Sequence, residues 1–212
     1  MSGEASRRKA IALFPALHEI EPELEAYEGL LRRWQKTINL VAAATLEDIW
    51  IRHFADSAQV HAAAPEIRRW ADMGSGAGFP GLVTALLLKR ESGAHVHLIE
   101  SDQRKAAFLR AVSRETEAPT SIHAERAEIV LPRLADKIEG VSARALAPLE
   151  NLLRLAEAPL AEGALGVFLK GEDWEDELTA VERAGNFICE SAESGTRKGA
   201  RIVVVRHKAP PL

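Results

Sequence analysis

The chain has 212 residues, 47% of them hydrophobic and 27% charged, with a single cysteine. These figures exclude a disulfide scaffold, a Cys-rich zinc module and a largely disordered chain. Its 27 basic and 31 acidic side chains give a formal net charge of −4, which excludes a generic polybasic nucleic-acid binder. At the N-terminus, Arg7, Arg8 and Lys9 ahead of an apolar run over 10–17 mimic a short signal peptide. Pro15 interrupts the run and no small-residue cleavage site follows, so the segment reads as an amphipathic helix of a cytoplasmic protein. No stretch of about 18 apolar residues marks a membrane span.

Helical patterns cover 4–17, 22–37 and 46–62. In the second, Leu24, Tyr27, Leu30, Leu31 and Trp34 share one apolar face. Glutamates crowd its start, and Arg32, Arg33 and Lys36 its end. The helix dipole accounts for that order; an RNA-binding role for the three cations is the competing reading.

From residue 68 strands and helices alternate. Strands are expected at 70–73, 94–99, 121–123, 141–143, 166–170, 187–190 and 202–205, and helices at 82–89, 104–117, 149–158 and 175–183. The last two strands should form an antiparallel hairpin. This is the pattern of an α/β fold with a mostly parallel, Rossmann-like seven-stranded sheet over 68–212, preceded by a helical extension over 1–67. In such sheets ligands bind at the carboxyl ends of the strands.

The strongest local signal is the run Asp72-Met73-Gly74-Ser75-Gly76-Ala77-Gly78-Phe79-Pro80-Gly81, set between a strand and a helix. Glycines there permit a tight turn and a close approach of ligand to backbone. The spacing is GxGxG, not the GxGxxG of the dinucleotide fingerprint. Asp72 would repel a pyrophosphate but suits the ammonium of S-adenosylmethionine. Glu100, closing the next strand, is placed to accept hydrogen bonds from ribose hydroxyls. S-adenosylmethionine is favoured over a nicotinamide cofactor or a purely structural loop.

Four further segments accompany that loop: 34–40, 52–57, 142–147 and 169–171. Together the five resemble, in order and approximate spacing, the bacterial 16S rRNA guanine-N7 methyltransferases of the glucose-inhibited division protein B family. The resemblance implies a class I S-adenosylmethionine-dependent methyltransferase fold. It also implies methylation of guanine N7 at position 527, in the 530 loop of 16S rRNA in the small ribosomal subunit. Carried over by position, Gly74 and Phe79 contact the cofactor in the loop, Ala127 and Glu128 flank the adenine, and Arg144 completes the site; Gly76 and Gly78 of the same loop are read as cofactor-binding with them.

Guanine N7 carries no proton, so its methylation needs no general base, and catalysis rests on proximity and orientation. Arg144 is then an orienting group for cofactor, guanine or phosphate, or else a member of a surface ion pair. Lys170 either neutralises an rRNA phosphate or is a solvated strand end. His53 and Asp56, three apart on a helix, form a lid or a helix-to-core hydrogen bond. Asn39, with Arg32, Arg33 and Lys36, belongs to the candidate RNA face. His95 and His97 share a strand face without an evident third ligand, so no metal is expected. Cys189 reads as a buried, inert thiol in an apolar strand. A monomer is expected. The alternatives are a class I methyltransferase with a small-molecule or protein acceptor, and a non-enzymatic rRNA- or nucleotide-binding factor.

Overall fold

The computed structural model describes residues 3–208. Seven strands form one sheet in the order β3-β2-β1-β4-β5-β7-β6. They are β1 (Arg69–Met73), β2 (His95–Ile99), β3 (Thr120–His123), β4 (Gly140–Arg144), β5 (Leu165–Lys170), β6 (Phe187–Glu193) and β7 (Arg201–His207). The first five run parallel, β7 is antiparallel to β5, and β6 is antiparallel to β7. Strand order reverses between β1 and β4, which opens the ligand-binding crevice at their carboxyl ends.

Alternation along the strands sorts side chains into two cores. Trp70, Val96 and Leu98 face one side of the sheet, while Ala71, Met73, Ile99, Val141 and Ala143 face the other. The first side is covered by α4 (Gly81–Leu87) and α5 (Gln103–Thr116), and the second by α6 (Ala127–Leu134), α7 (Leu149–Leu155), α8 (Glu157–Ala161) and α9 (Trp174–Ala184). The N-terminal helices α1 (Gly3–Leu13), α2 (Glu21–Trp34) and α3 (Asp56–Ala63) join the first core. Tyr27 of α2 is fully buried against Phe54, Phe79 and Phe108.

Several element boundaries differ from expectation, each for a local reason. The helix expected over 4–17 stops at Leu13, because Pro15 starts a separate 3₁₀ turn, Pro15–Ile20. The helix expected over 22–37 ends at Trp34, and Thr37 and Ile38 then donate to the Trp34 carbonyl. The pattern over 46–62 resolves into a π-helical turn, Trp50–Ala55, followed by α3. The helix expected over 149–158 is divided into α7 and α8, since the Pro159 ring cannot share a continuous helix with the Leu155 carbonyl. Pro132, within α6, masked that helix in the sequence. β6 runs on to Glu193 as an exposed edge strand. Cys189 is accordingly half-buried on it and not in the core, with burial raising its thiol pKa.

Candidate active site

The glycine loop leaves β1 at the reversal point and turns into α4. Gly74, Gly76 and Gly78 all have positive φ, +63°, +56° and +94°, a region open to glycine and costly for other residues. A Cβ on Gly74 would lie 2.6 Å from Leu146 Cδ1, whereas one on Gly76 would meet only the Gly74 carbonyl oxygen, at 3.7 Å. The loop backbone at Gly76 is therefore uncrowded, with room for one ordinary van der Waals contact. From α2, the Tyr27 hydroxyl donates to the Ala77 carbonyl and so ties the N-terminal helices to the loop. Phe79 is buried with its ring stacked between Tyr27 and His53, at centroid distances of 5.2 and 4.8 Å.

Gly74, Gly76, Glu100, Ala127 and Glu128 come together around one cavity of about 350 Å³, which Leu146 also lines. Its size falls within the range of small-molecule sites. Glu100 is buried and accepts from the Gly76 N–H at 2.9 Å and the Asp102 N–H at 2.8 Å. Its remaining acceptor capacity suits ribose hydroxyls. Open backbone at Gly76, a buried carboxylate at the end of β2 and the small Ala127 side chain fit a nucleoside-bearing cofactor.

Asp72 is placed beneath this loop and not on the cavity wall. It is fully buried; Oδ1 accepts from the Ser142 hydroxyl at 2.8 Å, and among the described residues Oδ2 has no hydrogen-bond partner of normal geometry. Burial pushes its carboxyl up to about 6, against the opposing effect of Ser142, Ser75 and the Gly81 amide.

A second cavity of about 350 Å³ adjoins the first, and Ala145 lines both. Ala145 has φ +52°, a left-handed conformation that stores strain at the junction. Arg144, the last residue of β4, is held here by three acceptors. It donates to the Arg52 carbonyl at 3.1 Å, Asp56 Oδ2 at 3.1 Å and His53 Nδ1 at 2.9 Å. His53 is buried, and burial, then Arg144 and Arg52, depress its pKa to about 3, so the imidazole is neutral. With Nδ1 accepting, Nε2 carries the proton and faces Thr45 Oγ1 at 2.8 Å, which in turn donates to the Ala42 carbonyl at 2.7 Å. Arg144 is thus an anchored, half-buried guanidinium, with its Cζ 5.0 Å from the Phe79 ring centroid.

Lys170 lines the same cavity, but it is not a solvated strand end. Its side chain is only 9% exposed, and it pairs with Glu177 at 2.6 Å and donates to the Ala147 carbonyl at 3.0 Å. Arg32 is engaged by Glu28 and the Leu46 carbonyl, while Arg33, Lys36 and Asn39 are exposed beyond the described lining of either cavity. His95, His97 and His123 cluster on β2 and β3, and among the described residues no group of three candidate ligands converges on a metal position.

Sequence reasoning missed Gln59, Ser194 and Thr196. Asp56 Oδ1 accepts from Thr196 Oγ1 at 2.6 Å, and Gln59 Oε1 accepts from the Gly195 N–H at 2.7 Å. These contacts join residues more than 130 positions apart, so no local pattern announces them.

Residues 20–201 match the family model described as rRNA small subunit methyltransferase G. The chain is similar to the ribosomal RNA small subunit methyltransferase G of Rhodospirillum centenum, with 49% identity over 94% of this chain and 89% of that one. It is also similar to the protein of that name from Nitrobacter winogradskyi, with 46% identity over 93% and 72% of the two chains. Among solved structures, it resembles a methyltransferase from Geobacter sulfurreducens at a TM-score of 0.60, with 13% identity over 88% and 89% of the chains. An O-methyltransferase from Streptomyces achromogenes, solved in complex with SAM, resembles it at a TM-score of 0.60, with 14% identity over 88% and 90%. These structural likenesses establish the class I methyltransferase fold.

Proposed function

The chain belongs to the rRNA small subunit methyltransferase G family, and from that premise we propose that it methylates N7 of a guanine at position 527, in the 530 loop of 16S rRNA. It is an S-adenosylmethionine-dependent methyltransferase of small-subunit rRNA. Gly74, Gly76, Glu100, Ala127 and Glu128 hold the cofactor in the first cavity. Asp72 supports the loop from below, Gly78 permits its turn, and Phe79 braces it against Tyr27 and His53. When bound, the cofactor supplies an electrophilic methyl group on a sulfonium. The second cavity, across Ala145, receives the acceptor base.

One observation carries the choice of N7. Of the four carboxylate and imidazole acceptors that line the second cavity, the three less exposed ones are already committed. His53 Nδ1 takes a hydrogen bond from Arg144, Asp56 from Arg144 and Thr196, and Glu177 from Lys170 and the Leu149 N–H. Asp173, on the rim, is exposed. A nucleophile that must lose a proton is poorly served here, whereas the N7 lone pair needs only orientation. Arg144 supplies that orientation from a fixed guanidinium, with Lys170 beside it as a buried cation. Arg32, Arg33, Lys36 and Asn39 form a more distant RNA-facing rim. Residues 1–67 act as a helical extension to a methyltransferase domain over 68–212, and the working unit is a single chain in the cytoplasm.

The test is transfer of labelled methyl from S-adenosylmethionine to small subunits from a strain lacking the endogenous enzyme, followed by mapping of 7-methylguanosine. The expected product is one 7-methylguanosine in the 530 loop. Label elsewhere in the rRNA would overturn the site, and label confined to small molecules or protein would overturn the acceptor class.

A further inference from the structure

The turn joining β6 to β7, residues 194–200, is held unusually firmly for a surface loop. Gln59 is buried and bonds it from below, accepting from the Gly195 N–H at 2.7 Å and donating to Ser194 Oγ at 3.2 Å. Thr196 Oγ1 donates to Asp56 Oδ1 at 2.6 Å, while the other oxygen of the same carboxylate grips Arg144. Asp56 is therefore a two-sided bracket between the turn and the arginine at the junction of the two cavities.

The turn also carries charge into the acceptor cavity. Arg52, Arg144, Lys170, Arg197 and Arg201 all line it. Arg144 and Lys170 are committed to internal partners, but Arg52 is exposed without an ion pair among the described residues. Lys198, next to Arg197 on the turn, is likewise exposed and unpaired among them. Among the described residues Arg197 pairs only with Glu172, at 3.3 Å, with side chains 46% and 71% exposed. An ion pair that open to solvent is of little net worth, so exchanging Glu172 for a phosphate costs little.

Resting on the reading of the protein as an rRNA methyltransferase, we propose that the 194–200 turn is a backbone clamp for the acceptor RNA. Arg197 and Lys198, with Arg52 across the cavity, take phosphates of the strand that carries the target base. Asp56 is a positioning residue that fixes the clamp relative to Arg144. Phosphate contacts position the strand without reading its sequence. That division of labour leaves base recognition to the interior of the cavity.

The test is steady-state methyl transfer to small subunits over a series of salt concentrations, alongside calorimetric titration of cofactor. Replacing Arg197 and Lys198 together by Ala should raise KM for the subunit about tenfold at 0.15 M salt, with kcat within about twofold and cofactor Kd unchanged. Loss of two phosphate contacts should also flatten the dependence of log KM on log salt by about 1.5. Thr196→Val, which removes the hydroxyl bond to Asp56, should keep that salt slope but lower kcat several-fold, and Thr196→Ser should restore it. Replacing Arg110 and Arg114 on α5 by Ala should change neither quantity. Unchanged KM and salt slope in the double Ala variant would overturn the clamp, and unchanged kcat in Thr196→Val would overturn the bracket. No methyl transfer by the unmodified chain would instead sink the underlying reading.

Discussion

Gly74 combines two constraints that a single substitution violates together. Its φ of +63° excludes most side chains, and a Cβ there would press on Leu146 Cδ1 at 2.6 Å. A β-branched residue meets both penalties, so Gly74→Val should weaken cofactor binding by tenfold or more in a calorimetric titration; full affinity would refute the placement of the loop. Glu100 makes the companion case. Its carboxylate satisfies the Gly76 and Asp102 amides, and leaving a buried amide unpaired costs about 1–3 kcal/mol. Glu100→Ala should thus loosen the loop as well as lose the ribose acceptor, while Glu100→Gln, which keeps one acceptor oxygen, should fall between Ala and the unmodified protein. Equal affinity for all three would show that Glu100 does not face the cofactor.

At the scale of elements, α2 acts on the catalytic loop through one side chain. Tyr27 stacks on Phe79 and bonds the Ala77 carbonyl. Tyr27→Phe keeps the ring and removes the bond, so it should cost about 1 kcal/mol of stability and weaken cofactor affinity a few-fold. A change in stability alone, with affinity preserved, would mean that the extension merely supports the sheet. The strands and the glycine loop were legible in the sequence because both are local: short apolar runs bounded by turn residues mark strands buried on both faces, and clustered glycines mark a turn. The loop-to-Glu100 spacing was legible too, since β1 and β2 are neighbours joined by one helix. The bracket at Asp56 was not, because Gln59 and Ser194 meet only after the hairpin folds back across the sheet. Lys170 and Phe79 show the same limit. Their place in the chain was readable, but whether each faces solvent or a packed partner depends on residues distant in sequence.

For the whole molecule, the total charge of −4 says little about RNA, because charge is unevenly spread and Arg52, Arg144, Lys170, Arg197 and Arg201 are gathered at one cavity. The balance of buried titratable groups says more, since it fixes how stability follows pH. His53, His61, His95, His97 and His123 are all held below the ordinary imidazole value, chiefly by burial, His53 to about 3 and His97 to about 4. As pH falls below about 6.5 the unfolded chain takes up protons that the folded chain refuses, so stability is lost on acidification. Asp72 acts in the opposite direction, because its raised value lets the folded chain keep a proton, between about pH 6 and 4, that the unfolded chain gives up. From pH 6.5 to 5, His53 alone should cost about 2 kcal/mol and Asp72 should return about 1 kcal/mol. The other histidines, more open to solvent, add smaller losses of the same sign as His53. Five groups against one predict that unfolding free energy, measured by urea titration, rises by at least about 1 kcal/mol between pH 5 and 7. His53→Gln should flatten that rise, and Asp72→Asn should steepen it by removing the opposing group. A flat or falling profile in the unmodified protein would show that these histidines are not excluded from water as the fold requires.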